Sequence, residues 1–149
     1  MGRGAQAGAI ICSIMLAACG AKEASRARPA EAEEHLPADQ RDAQELGREL
    51  FEMVDRAVDY RGSHQGRPAA SFRQMGVDSL TPTTVRRLVN LAREPVITVA
   101  FRRPGSREIT SCRGDSQILE EATLNGGQFT VMCTTRSGAQ RPMKVTGSR

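Results

Sequence analysis

At 149 residues the chain has room for one domain and not comfortably for two. With no Trp, one Tyr and four Phe, its core must rest on Leu, Val, Ile and Met, because aromatic burial is scarce. The net charge of +4 is uneven: residues 19–60 carry six Lys/Arg against eleven Asp/Glu, and residues 61–149 carry fourteen against six, all Arg except Lys144. These arginines sit between apolar residues rather than in a run, without the stacking aromatics of a phosphate-tracking surface. No nucleic-acid partner is therefore expected, whereas anionic lipid or an acidic envelope polymer is compatible.

Residues 1–4 carry one cation, Arg3, and residues 5–18 run apolar as AQAGAIICSIMLAA. A membrane-spanning helix needs about 20 such residues. This run is shorter, starts at a cationic end and closes on small side chains, which is the form of a cleavable export signal over residues 1–18. Leu16-Ala17-Ala18-Cys19 resembles the lipobox of bacterial lipoproteins, in which Leu and two small residues precede an obligatory Cys. The resemblance implies cleavage before Cys19, a diacylglyceryl thioether on its thiol and a further acyl chain on the freed amine. Two or three chains anchor stably where one is reversible. Gly20 is not the Asp linked to inner-membrane retention, so the resemblance favours the outer membrane.

Residues 19–38 are rich in Ala, Glu and Pro, with Leu36 as the one large apolar side chain. Such a stretch buries too little surface to offset chain entropy. It reads as a flexible tether with a reach of about 60 Å, and His35 within it as solvated. A helix is predicted over 39–61. Asp39 is its N-cap and Asp42 lies in its first turn. Leu46, Leu50, Met53, Val54, Ala57 and Val58 form one stripe, while Glu45, Glu49, Glu52, Asp55 and Arg56 face away. Gly62 ends it. A glycine-rich loop to Pro68 leads to one or two helical turns at 71–75, stopped by Gly76. Thr81-Pro82 reads as the start of a second helix, with Val85, Leu88, Val89 and Ala92 at helical spacing to Arg93.

After Pro95 the pattern changes to β-branched residues. Strands are predicted at 96–101, 108–112 and 128–134, with a turn at 102–106 and another at Asn125-Gly126-Gly127. Residues 116–124 are ambiguous. A last edge strand is expected over 142–146, since Pro142 is tolerated only at an edge. Helices followed by antiparallel strands indicate an α+β fold in residues 39–149. The first helix would pack on a face carrying Val96, Val99 or Ile97, Phe101, Phe129 and Val131.

Four Cys are present. Cys12 leaves with the signal and Cys19 takes lipid, so Cys112 and Cys133 remain to pair as a structural disulfide in an oxidising compartment. They lack the Cys-x-x-Cys spacing of a redox pair. For zinc only His64 would be available nearby. No metal and no cofactor are expected. His64 is also the one candidate general base, with Ser63, Ser71 or Ser111 as conceivable nucleophiles, but no nucleophile elbow marks them. No catalytic residues are assigned. Arg113-Gly114-Asp115 reads as an ordinary turn. The Arg-rich segment 102–113 is the expected contact surface of a binding protein.

A long helix ending near Tyr60, the loop Gly62–Pro68 before Ser71, the strand at 96–101 and the pair Cys112/Cys133 resemble the globular heads of type IV pilins and pseudopilins over about residues 44–135. The chain departs from them at its N-terminus, where a lipobox and tether replace the hydrophobic polymerising helix. The resemblance implies a pilin-like head used for binding or scaffolding, not for a filament shaft.

Overall fold

The computed structural model describes residues 36–147. The export signal, Cys19 and the tether up to His35 lie outside the described residues. The described chain is an α+β arrangement of two α-helices on a five-stranded antiparallel sheet. Helix α1 spans Ala38–Ser63. A 3-10 turn follows at Phe72–Met75, then strands β1 (Thr84–Leu91), β2 (Glu94–Phe101) and β3 (Ile109–Gly114), helix α2 (Gln117–Leu124), and strands β4 (Gln128–Thr135) and β5 (Gln140–Thr146). The strands lie in chain order, β1-β2-β3-β4-β5.

Helix α1 forms where its apolar stripe requires. Leu46, Leu50, Met53, Val54 and Ala57 are buried, joined by Ala43 and Phe51. The N-cap is Pro37 rather than Asp39. Asp39 lies inside the first turn, where its carboxylate accepts from the Gln40 amide at 2.8 Å and its charge complements the helix dipole. Gly62 is still helical; the helix closes after Ser63, and Gly66, left-handed at φ 77, donates back to the Arg61 carbonyl at 2.9 Å. Gly47 marks where α1 crosses β5. A Cβ there would lie 2.6 Å from Val145 Cγ1, so the glycine is needed for the approach despite its helical penalty.

The helical turn expected at 71–75 is present as the 3-10 turn Phe72–Met75, with its stop at Gly76. The predicted helix over 81–93 is not: this segment is strand β1, paired along its whole length with β2 from Thr84↔Phe101 to Leu91↔Glu94. The apolar spacing was shared by both geometries, and the ladder to β2 decided between them, as tertiary pairing overrides weak local preference. Pro82 sits in the turn before the strand. The β1–β2 hairpin has two central residues, Ala92 and Arg93, with φ of 49° and 71°, the left-handed pair of a type I′ turn. That turn normally announces itself with Asn and Gly; here it carries neither.

One sheet face bears the core. Pro95, Ile97, Val99 and Phe101 of β2 alternate inward, with Ile109 and Cys112 of β3, Phe129, Val131 and Cys133 of β4, and Met143 and Val145 of β5. Ile97 and Val99 therefore both face α1, and Val96 does not. The Phe51 and Phe129 rings stack with centroids 5.0 Å apart, joining α1 to β4. Helix α2 resolves the ambiguous 116–124 segment. It adds Ile118 and Ala122 to the core, and Glu121 accepts the Thr130 amide at 2.9 Å, occupying β4 where β3 has ended. Cys112 and Cys133 are opposite one another in register, bonded, with Cα atoms 4.0 Å apart, and almost wholly buried. The expected disulfide is thus a staple between two central strands under α1.

Candidate interaction surface

Alternation along five strands sends every second residue away from α1, and among the described residues nothing covers that face. It carries Val85 (40% exposed), Val89 (39%), Leu91 (50%) and Met132 (43%). Register places Arg87 opposite Thr98, and Thr98 opposite Arg113, which lies opposite Met132. Cations and apolar groups therefore share one surface. Between them is a shallow depression of about 330 Å³, lined among others by Thr98, Ser111, Arg113 and Met132. Antiparallel sheets commonly leave one face to water, but polar residues usually fill it; here the β1 side is largely aliphatic.

The two sheet edges are treated differently. At β5, the Gln44 side chain donates to the Thr146 carbonyl at 2.6 Å and accepts from its amide at 3.1 Å, as a neighbouring strand would. Gln40 donates to the Lys144 carbonyl one step away. Pro142 shares this outward parity, so its missing N–H removes no ladder bond. At β1, Ser79 accepts the Arg86 amide at 2.7 Å and Thr81 donates to the Thr84 carbonyl at 2.9 Å. Leu88 and Asn90, two and four residues past Arg86, point their backbone groups the same way and among the described residues meet no such backbone partner, though the Asn90 side chain donates to the Ala69 carbonyl at 2.8 Å.

Charged contacts also hold α1 on the sheet. Asp42, 5% exposed, accepts from Arg107 Nη1 and the Glu108 amide, each at 2.8 Å. Arg107 also pairs with Glu45 at 2.8 Å and lies 4.2 Å over the Phe101 ring. Its bond to Asp42 raises the guanidinium's pKa further above its ordinary value, against an opposing effect of burial. Glu49 accepts from Thr84 Oγ1 at 2.7 Å and from Arg86 Nε. Arg61 pairs with Glu94 at 2.6 Å and donates to the Arg93 carbonyl at 3.2 Å, latching the strained hairpin. Arg61 and the Ser116 hydroxyl hold the Glu94 carboxyl below its ordinary range.

These contacts correct two sequence expectations. Glu49 does not face away from the sheet: it borders the apolar stripe at i+3 from Leu46, as Asp42 does at i−4, and that spacing was the available signal. The segment 102–113 is not uniformly an outward basic surface. Arg107 is committed to Asp42 and Glu45, and Arg102 donates to the Thr81 carbonyl at 3.2 Å; Arg103 and Arg113 are exposed.

His64 caps the end of α1 in the open. Its ring stacks on Tyr60 with centroids 3.8 Å apart, and Nδ1 lies 2.8 Å from the Tyr60 carbonyl oxygen and 3.0 Å from Ser63 Oγ. The Ser63 hydroxyl donates to the helix carbonyls of Asp59 and Tyr60. Ser71 lines the groove beside β1 and Ser111 the open sheet face, so the three candidate serines are not gathered around one base. Among the described residues no group of three His, Cys, Asp or Glu is placed to hold a metal ion, and no helix is long and apolar enough to cross a membrane. Compared with protein-family models, curated proteins and solved structures, the chain matches none.

Proposed function

We propose that the chain is a lipid-anchored cell-envelope protein acting as a non-enzymatic binding or scaffolding module. It would be exported under residues 1–18, acylated at Cys19 and displayed on the tether, with the outer membrane favoured over the inner. The observation that carries the binding reading is the uncovered sheet face, where Val85, Val89, Leu91 and Met132 stand exposed among Arg87 and Arg113. Exposed apolar area rimmed by charge marks interaction sites more often than it marks inert surface. Its cations suit an acidic envelope protein or an anionic envelope polymer. Anchoring rests on the lipobox resemblance, and a pilin-like head rests only on the resemblance of its segment order and Cys pair. A hydrolase centred on His64 draws no support from a ring stacked in the open on Tyr60.

Two measurements on the protein in its native envelope test this. Intact mass after detergent extraction should show a chain beginning at Cys19 with acyl mass, gaining two hydrogens on reduction. Photo-crosslinking groups placed at Val89 and Met132 should form adducts, while one at Glu52, on the exposed back of α1, should not. An unmodified N-terminus overturns the anchor; adducts at Glu52 alone, or at none of the three, overturn the binding face.

A further inference from the structure

We infer that the edge of β1 beside Leu88 and Asn90 accepts an extended acidic segment of a partner protein as a sixth strand. This rests on the binding-module reading and says which part of the molecule binds and in what manner.

The first ground is the contrast between the edges. An open strand edge is a template for pairing, and natural proteins blunt edges they do not use. Here the β5 edge is closed by Gln40, Gln44 and Pro142. The start of β1 is closed by Ser79 and Thr81. Past Arg86 the edge is left with outward-pointing amide and carbonyl groups at Leu88 and Asn90, roughly 7 Å apart along the strand, and the Asn90 side chain is tied to the Ala69 carbonyl.

The second ground is the groove beside that edge. About 620 Å³ lies between β1 and residues 70–79, lined by Phe72, Val77 and Leu88 together with Arg73, Arg86 and Arg87. Phe72 is buried, and Val77 and Leu88 are half-buried, so the floor is apolar and fixed. Arg86 is committed to Glu49 and to the Asp78 carbonyl. Arg73 and Arg87 are exposed and form no ion pair among the described residues. Asp78 is the one acidic residue of the lining. An added strand would take main-chain bonds from the edge and side-chain recognition from alternate positions. Two unpaired cations then select acidic residues. A second copy pairing edge to edge would instead bring two sets of Arg86 and Arg87 together, which like-charge repulsion opposes.

The probe is a blocked hexapeptide of alternating Glu and Val, with a Lys and Val counterpart, added to the full chain in detergent and followed by amide NMR. The expected result is shifted and exchange-protected amides at Leu88 and Asn90, with the acidic peptide bound about tenfold tighter than the basic one. Reversing both cations, Arg73→Glu with Arg87→Glu, should weaken it about tenfold at unchanged thermal midpoint. Leu88→Pro removes an edge donor without touching the β1–β2 ladder and should also abolish binding. The inference is overturned by no shift at millimolar acidic peptide, by equal binding of both peptides, or by shifts centred on Thr98 and Met132. Protection of β1 that grows with protein concentration alone overturns it too, in favour of self-pairing. If the acidic peptide fails while Val89 and Met132 still crosslink in the envelope, the edge inference falls and the binding reading stands.

Discussion

The β1 and β5 edges belong to one sheet, yet α1 closes one and leaves the other. At β5 the helix passes so near that Gly47 has no room for a Cβ, and the amides of Gln40 and Gln44 take up strand groups that would otherwise face water. At β1 the same helix reaches only the inward side chains, through Glu49 to Thr84 and Arg86. Segment 66–83 then seals the first residues of the strand through Ser79 and Thr81 and comes back to it at Asn90, whose side chain donates to the Ala69 carbonyl at 2.8 Å. A helix packed on β2, β3 and β5 leaves the far edge to other segments, and the stretch around Leu88 is where a partner can be added.

The largest perturbation should spare the contrast. Replacing Cys112 and Cys133 by Ala removes a cross-link spanning 21 positions, with an expected loss of roughly 3 kcal/mol on the chain-entropy argument. Urea unfolding should move to a lower midpoint while amide exchange rises at both edges together. A more selective break is Gly47→Leu, which forces α1 away from Val145. About 2 kcal/mol should be lost through overpacking, and exchange should accelerate at Thr146 before Leu88. Gln44→Ala should cost about 1 kcal/mol through the two lost edge bonds. Combined with Gln40→Ala it gives a sheet with two open edges, which should self-associate in sedimentation where the parent chain does not.

The smallest effect concerns acid. The folded-state pKa of Glu94 is lowered from 4.5, so its pairing with Arg61 contributes fully above that ordinary value. The contribution fades as the pH falls below 4.5 and through the depressed value. Because the pair is partly exposed, the amplitude should be small. Comparing acid unfolding of the parent chain with that of Glu94→Gln should show the two curves converging at low pH; parallel curves throughout would remove Glu94 from the account.

Much of this architecture can be read from the residues. The stripe from Leu46 to Ala57 and the strand over 96–101 each follow from one local pattern, and the pairing of Cys112 with Cys133 follows from which cysteines remain. The functional edge does not. Val85, Leu88 and Val89 satisfy a helix and a strand equally, and the hairpin that would have decided between them turns on Ala92 and Arg93 instead of glycine. Glu49 looks like a solvated acid, and Asp42 like a first-turn acid alone, until the sheet brings Arg86 and Arg107 to them. Gln44 is informative only once Thr146 is beside it. Residues whose role depends on a partner far along the chain leave little trace in a local window.

That long reach also bears on how the molecule is made. The bond between Gln44 and Thr146 joins residues 102 positions apart, and α1 precedes every strand it packs on. A chain emerging N-terminus first would deliver this helix long before β5, the strand that completes its binding site. Such non-local closure slows folding. It would keep α1's apolar stripe unsatisfied, and the chain dependent on chaperones, until β5 has arrived.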